Sequence, residues 1–457
     1  MSETAVVKSF RDRVIKGGAW VFIGQILSQL LSLASNLIMT RILVPEMFGI
    51  MALANAFVFG LELVSDLGIH QNIIQSKRGN ESRFLNTAWV VNIARGFIIA
   101  GIALGFIYSV HFLGFLTLLP DDSVFTDPQL IPVLAVISLT PIISGIQSTK
   151  LSVENRNLAF GHIIKITLIS QLIAIFAMVC WAMFDRSIWA LVCGTLTNAL
   201  VMTVLSHTSL PGQNNRFEWD QTAFRELFTF GKWVFLSSAF GFLLEHGEKF
   251  ILGGLVDAKT LGLYSIAALL ALAAALVTQK FTEMVGLPAV SEIYREDPAR
   301  FKKIYYNLRL PIDGLILLAV GFIFITGSLI VEILYDPRYI EAGYMLEIIV
   351  VTLFFDRFLM TNQCFLAIGK PSYYFLETVL RTVFLFVSIP VAFHFWDFIG
   401  ALWAIALNGI ISLPVLFYLK HKIGILSVSR ELAVLAFLPV GAGLGYLVLE
   451  IFSFFQW

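Results

Sequence analysis

Apolar stretches of about 20 residues alternate with short polar connectors along the whole chain, and this alternation constrains the fold more than any motif. A helix of that length crosses hydrocarbon, where each backbone amide must be bonded within its own segment. An all-α integral membrane protein is therefore expected. Thirteen candidate spans lie near 17–42, 47–69, 84–110, 129–149, 160–184, 187–208, 228–256, 260–284, 306–334, 342–367, 373–395, 397–419 and 431–454. Composition agrees, with 58% hydrophobic and 14% charged residues against roughly 25% charged in a soluble domain. Basic and acidic residues balance at 31 each, so no net field points to nucleic acid and charge is informative only by position.

Position fixes an expected orientation. With the N-terminus cytoplasmic, 21 lysines and arginines fall on that side, while the other side holds only Arg41, Arg186, Lys259 and Arg338. An odd span count then leaves the C-terminus outside. Lys8, Arg11, Arg13 and Lys16 precede the first apolar run, which lacks a small-residue cleavage motif, so a retained first span is expected. Cys180, Cys193 and Cys364 sit in apolar stretches without paired spacing and are expected as inert thiols.

The chain repeats itself. A shift of 213 residues lays "GAWVFIG" (18–24) on "GKWVFLS" (231–237), and the register holds without a gap through Ile38 on Ile251, Gly49 on Gly262 and Ala54 on Ala267. Six spans precede the second copy, so the halves are expected as parallel repeats around a central cavity. The expected division is a six-helix lobe at 1–210, a cytoplasmic connector at 211–227, a second six-helix lobe at 228–420 and an additional membrane helix at 421–457.

The stretch "TRILVPEMFGIMALANAFVFGLELVSDLGIHQNIIQ" (40–75) and its counterpart "ILGGLVDAKTLGLYSIAALLA" (251–271) resemble the helix signatures of the polysaccharide transport family. That family includes bacterial O-antigen and exopolysaccharide flippases and shares its two-lobed fold with the multidrug antiporters (MATE) and lipid II flippases of the MOP superfamily. The resemblance implies alternating-access translocation of undecaprenyl-pyrophosphate-linked oligosaccharide from the cytoplasmic to the periplasmic leaflet, in the bacterial inner membrane. It also implies membrane lipids and polysaccharide polymerase or assembly proteins as partners, no enzymatic activity, and no cofactor beyond a possible coupling ion, H+ or Na+. Two other functions fit the span pattern: a drug or organic-cation antiporter of the same fold, and a membrane glycan polymerase. No G-x-x-x-x-G-K-[ST] loop is present for nucleotide hydrolysis.

An anionic, hydrated headgroup needs basic groups inside the membrane, where charge is costly. Arg95, Lys249, Lys280, Arg357 and Arg381 are the candidates for it, and Gln25 and Gln29 suit sugar hydroxyls or interhelical hydrogen bonds. Lys165, near a span end, is expected to snorkel. Glu62, Asp66, Glu245, Asp313 and Asp356 are candidate coupling or structural carboxylates. Glu62 and Arg95 fall at about 12 and 16 Å from the cytoplasmic face at 1.5 Å per residue. They are expected to meet, either as a structural pair or as a protonation or cation site. Glu245 and Lys249 share a helix face at i, i+4, whereas the neighbours Asp356 and Arg357 point about 100° apart and are expected to serve different partners. His70 and His246 are expected as hydrogen-bonded polar residues, and "GIALG" (101–105) as a small-residue packing motif. The connectors "NNRFEWDQTAFRELF" and "AVSEIYREDPARFKKIY" mix bases with aromatics, which suits interfacial segments able to attract anionic lipid.

Overall fold

The computed structural model describes residues 3–64, 68–112, 123–282, 290–291, 293–294 and 300–455, with side chains omitted at 3–19, 64, 107, 109–112, 229–240, 277–278, 280–281 and 455. The described chain is helical and contains no strand. It divides into two compact units, Met1–Phe242 with Gly253–Ala258, and Leu243–Leu252 with Lys259–Trp457.

The first unit contains α1 (Glu3–Ile42), α2 (Pro45–Val64), α3 (Ile69–Gln75), α4 (Ser82–Phe112), α5 (Leu130–Ile137), α6 (Thr140–Gly145), α7 (Lys150–Arg156), α8 (Phe160–Phe184), α9 (Trp189–Thr208) and most of α10 (Gln221–Leu255). The second contains α11 (Ala258–Phe281), α12 (Phe301–Leu334), α13 (Ala342–Ile349), α14 (Leu353–Asp356), α15 (Leu359–Ala367), α16 (Pro371–Ala406), α17 (Leu413–Lys422), α18 (Val428–Ala433) and α19 (Phe437–Phe455). The 213-residue shift maps Ile42 onto Leu255 and Pro45 onto Ala258, which are helix boundaries in both copies. The sequence repeat is therefore also a repeat of helix punctuation. α10 begins at Gln221, before the residue 228 expected for its span, so 221–227 belong to the helix rather than to the connector.

Among the described residues nine helical runs are long and apolar enough to cross a membrane, or ten if the bent run Leu130–Gly145 plus Lys150–Arg156 counts as one span. Three expected spans are absent from this number: 228–256 includes residues 229–240, whose side chains are not described, and the other two are absent for local reasons. The 342–367 stretch is broken into α13, α14 and α15, and α16 carries a hidden reversal at Trp396 and Asp397. A Cβ on Gly400 would collide with the carbonyl oxygen of Ala392, a contact impossible along one straight helix. Two expected spans, 373–395 and 397–419, thus meet at this turn. Asp397 adopts φ 51°, ψ −150°, a conformation that favours glycine.

The bend between α6 and α7 exposes backbone groups that hydrocarbon cannot solvate. Side chains from neighbouring helices bond them. The Ile146 carbonyl accepts from Trp89 Nε1 at 2.8 Å and lies 2.9 Å from His207 Nε2. Ser148 N donates to Ser206 Oγ at 2.9 Å, and Thr149 N to Asn215 Oδ1 at 3.2 Å.

In the second unit α19 lies along α12 at backbone contact. Cβ atoms on Gly321 and Gly441 would strike the carbonyl oxygens of Leu438 and Leu318, so only glycine permits this approach. The C-terminal helix, expected as an addition to a twelve-span core, is packed into the second unit by this contact. By contrast, Gly101 and Gly105 of "GIALG" face open space, with no helix of the described chain against them. Large apolar side chains such as Phe176, Met183 and Phe184 point outward, as lipid-facing positions should.

Candidate functional site

The first unit encloses a polar cavity of about 240 Å³ whose lining includes Glu62, His70, Asn92, Arg95, Ser144, Gln147 and Ser152. That volume lies below the roughly 300 Å³ at which small-molecule pockets begin. It suits several waters or one compact charged group rather than an oligosaccharide. Glu62 and Arg95 meet, as their depths require. Arg95 Nη2 donates to the Glu62 backbone carbonyl at 2.7 Å. This carbonyl belongs to the last described turn of α2. Arg156 does the same for α3, donating from Nη1 to the carbonyls of Ile73, Ile74 and Ser76, each at 2.7 Å.

His70 stands at the cavity wall. Its Nε2 lies 2.8 Å from Asn155 Nδ2 and its Nδ1 2.8 Å from Ser152 Oγ. The amide donates to Nε2, which leaves the ring proton on Nδ1 for the serine. Asp66, between α2 and α3, lies outside the described residues. Gln25 and Gln29 are half-buried on α1. The interhelical amide bonds nearby come from their neighbour instead: Ser28 Oγ donates to Gln171 Oε1 at 2.8 Å, and Gln171 Nε2 returns to the Ser28 carbonyl at 3.0 Å. Gln29 Nε2 is buried without a hydrogen-bond partner. Lys165 is exposed, in keeping with a snorkelling lysine.

The second unit treats its charges differently. Glu431 of α18 binds three cations: Arg309 Nη1 at 2.6 Å, Arg357 Nη2 at 2.8 Å and Lys420 Nζ. Tyr306 donates its hydroxyl to the same carboxylate at 2.9 Å. Asp313, one turn after Arg309, lies 3.0 Å from Arg309 Nη2 and 3.8 Å from Arg357 Nε. The side chains of all five charged residues are at most 4% exposed. The Phe358 ring lies 4.9 Å from both guanidinium carbons and 5.6 Å from the Lys420 ammonium, so one aromatic ring serves three cations.

Arg357, expected at the headgroup, is consumed by acids in this network, and Asp313 is its structural counterion. Glu431, Lys420 and Arg309 escaped the sequence reading because two were counted as connector bases and the acid lay beyond them. The i, i+4 spacing of Arg309 and Asp313 was the available signal.

Asp356 does serve a different partner from Arg357: it accepts from Gln279 Nε2 at 3.1 Å. Arg381 Nη1 lies 3.7 Å from Glu377 Oε1 one turn away, and Arg381 Nε is buried without a hydrogen bond. Lys249 is half-buried on α10, with its ammonium 3.5 Å from His246 Nδ1, while Glu245 is exposed. The Lys280 side chain lies outside the described residues. The three cysteines are free, with only Cys364 fully buried. Among the described residues no cluster of His, Cys, Asp and Glu is arranged to hold a metal ion.

Residues 38–344 match the family model described as polysaccharide biosynthesis protein. The chain belongs to that family. Its relatives include the lipopolysaccharide biosynthesis protein WzxC of Escherichia coli (strain K12), 20% identical over 454 residues, which takes in 91% of this chain and 89% of that one. Among solved structures, the lipid II flippase MurJ in an inward closed conformation superposes with a TM-score of 0.66 at 14% identity, covering 95% of this chain and 98% of its own. An inward-facing multidrug resistance MATE transporter of the MOP superfamily gives 0.64 at 13% identity, covering 87% and 94%. At this identity the likeness establishes the fold, which for this family member is the all-helical MATE/MOP architecture of a multi-pass membrane protein.

Proposed function

We propose that the protein is a flippase that carries undecaprenyl-pyrophosphate-linked oligosaccharide from the cytoplasmic to the periplasmic leaflet of the bacterial inner membrane by alternating access. The observation that carries this reading is the family match across 38–344 on a chain with a transporter fold. MATE-like drug export uses the same fold, so the fold alone does not choose between them. The polysaccharide family match and the WzxC likeness favour the glycan.

In this reading the N-terminus is cytoplasmic. Lys249 and Arg381 of the second unit contact the phosphates, and Glu62, beside Arg95, carries the coupling proton or sodium ion in the first-unit cavity. The Arg309–Glu431 network bears load without touching substrate. A deletion strain tests the function. Lipid-linked oligosaccharide should accumulate on the cytoplasmic face and be relieved by the intact gene. Normal glycan crossing combined with new sensitivity to cationic drugs would assign the chain to drug export. Lys249→Gln should abolish relief while the protein remains folded at wild-type level, and full relief would make Lys249 a structural residue.

A further inference from the structure

The segment joining α9 to α10 is bound on one side and bare on the other. It leaves α9 at Thr208, a span end, and re-enters helix at Gln221. Its inner contacts are extensive. Lys150 Nζ donates to the His207 carbonyl at 2.9 Å and to Asn214 Oδ1 at 2.8 Å, and Arg216 N donates to Asn86 Oδ1 at 3.0 Å. Asp220 N donates to Thr87 Oγ1 at 2.9 Å. The strap is thus ordered before anything binds it, which removes the entropic cost of ordering on contact.

Its acids already have partners within the unit. Asp220 pairs with Arg78 at 2.7 Å and Glu218 with Arg83 at 3.1 Å, while Glu226 accepts from Ser76 Oγ at 2.5 Å. Among the described residues Arg216 and Arg225 have no ion-pair partner, and both are exposed. Interleaved with them are Phe217 (78% exposed), Trp219 (51%) and Phe228 (55%). Depth is set by Phe217, whose ring lies 4.9 Å from that of Trp89, a residue well inside the span Ser82–Phe106. Bare aromatics at the level of a span end, with two exposed arginines that have no ion-pair partner beside them, complement the acidic headgroup layer of a bilayer.

We infer that the 209–228 strap is an anionic-phospholipid anchor. Its aromatics enter the headgroup–acyl boundary, and Arg216 and Arg225 pair with lipid phosphates, fixing the start of α10 to the membrane plane. The test uses the full chain in vesicles doped with brominated phosphatidylglycerol or brominated phosphatidylcholine at equal mole fraction, with the Trp219 signal taken as wild type minus W219F. Phosphatidylglycerol should quench Trp219 more strongly, and R216Q/R225Q should reduce that preference by about fivefold per arginine. Both arginines are exposed, so an unchanged thermal midpoint should accompany the loss. Equal quenching by the two lipids overturns the charge recognition. No quenching by either overturns membrane docking and leaves the aromatics for a protein partner.

Discussion

The first unit keeps two half-buried charges, Glu62 and Arg95, beside a cavity, whereas the second unit locks five buried ones in a packed ionic knot. Glu62, Arg95 and His70 line about 240 Å³ of polar space, and the bond that holds Arg95 runs to a backbone carbonyl. Arg309, Arg357 and Lys420 share two carboxylates, Asp313 and Glu431, around Phe358. Both arrangements meet the same requirement, that charge in a membrane be solvated by something. The pair in the first borders open space, while the ion pairs in the second are packed on all sides. The lesson is that a buried basic residue in such a chain is informative about transport only after its acids are accounted for.

The largest expected effect comes from untying the knot. Glu431→Gln leaves three cations against Asp313 alone and should cost about 3–5 kcal/mol, because uncompensated buried charge is the expensive outcome. A lowered midpoint of thermal unfolding in detergent measures it, and a change within error would mean that the network is not a structural core. Next is the α12–α19 contact. Gly441→Leu forces a side chain into the Leu318 carbonyl and should destabilise by about 1–3 kcal/mol or splay the helices. A cysteine cross-linking yield between the two helices reports the separation.

On the cavity side the stability effect should be smaller. Arg95→Gln removes a charge-assisted hydrogen bond to a backbone carbonyl worth about 1 kcal/mol, so the variant should fold and reach the membrane normally. A comparable gain is expected at the turn between the halves of α16. Asp397→Gly relieves a φ of 51° and should stabilise by about 1 kcal/mol in the same melting assay. If melting is unmoved, the turn is not strained.

The smallest effect is in pH. Hydrogen bonds from Thr222 and then Arg78 hold the Asp220 carboxyl below its usual 3.8. A depressed carboxylate contributes fully above its unfolded pKa and loses that contribution as pH falls through its lower folded value. Amide exchange at Thr222 and Ala223, corrected for intrinsic rates, should therefore be flat from about pH 7 to 5 and rise only in stronger acid. A rise between pH 7 and 5 would contradict the cap.

Much of the fold was legible because apolar length and a repeat are properties of the chain alone. The Gly18–Ala54 register predicts helix boundaries that recur at Leu255 and Ala258. The meeting of Glu62 with Arg95 followed from rise per residue, as did the divergence of Asp356 from Arg357. What escaped depends on tertiary geometry. Hydropathy reads α13 to α15 as one span because a break in helix direction leaves apolar content unchanged. Arg309 and Lys420 read as connector bases because the rule for loops counts charges without seeing Glu431 fold back onto them. "GIALG" read as a packing motif, although glycine spacing does not say which way a face points.

The division of labour between cavity and knot is tested most directly by Arg95→Gln in living cells. Lipid-linked oligosaccharide on the cytoplasmic leaflet should be quantified in membranes where the variant matches wild-type abundance and melting. Oligosaccharide should accumulate there, and Arg95→Lys should restore part of the crossing. Full crossing by the Gln variant would contradict a working role for the cavity and leave Arg95 with a structural bond alone.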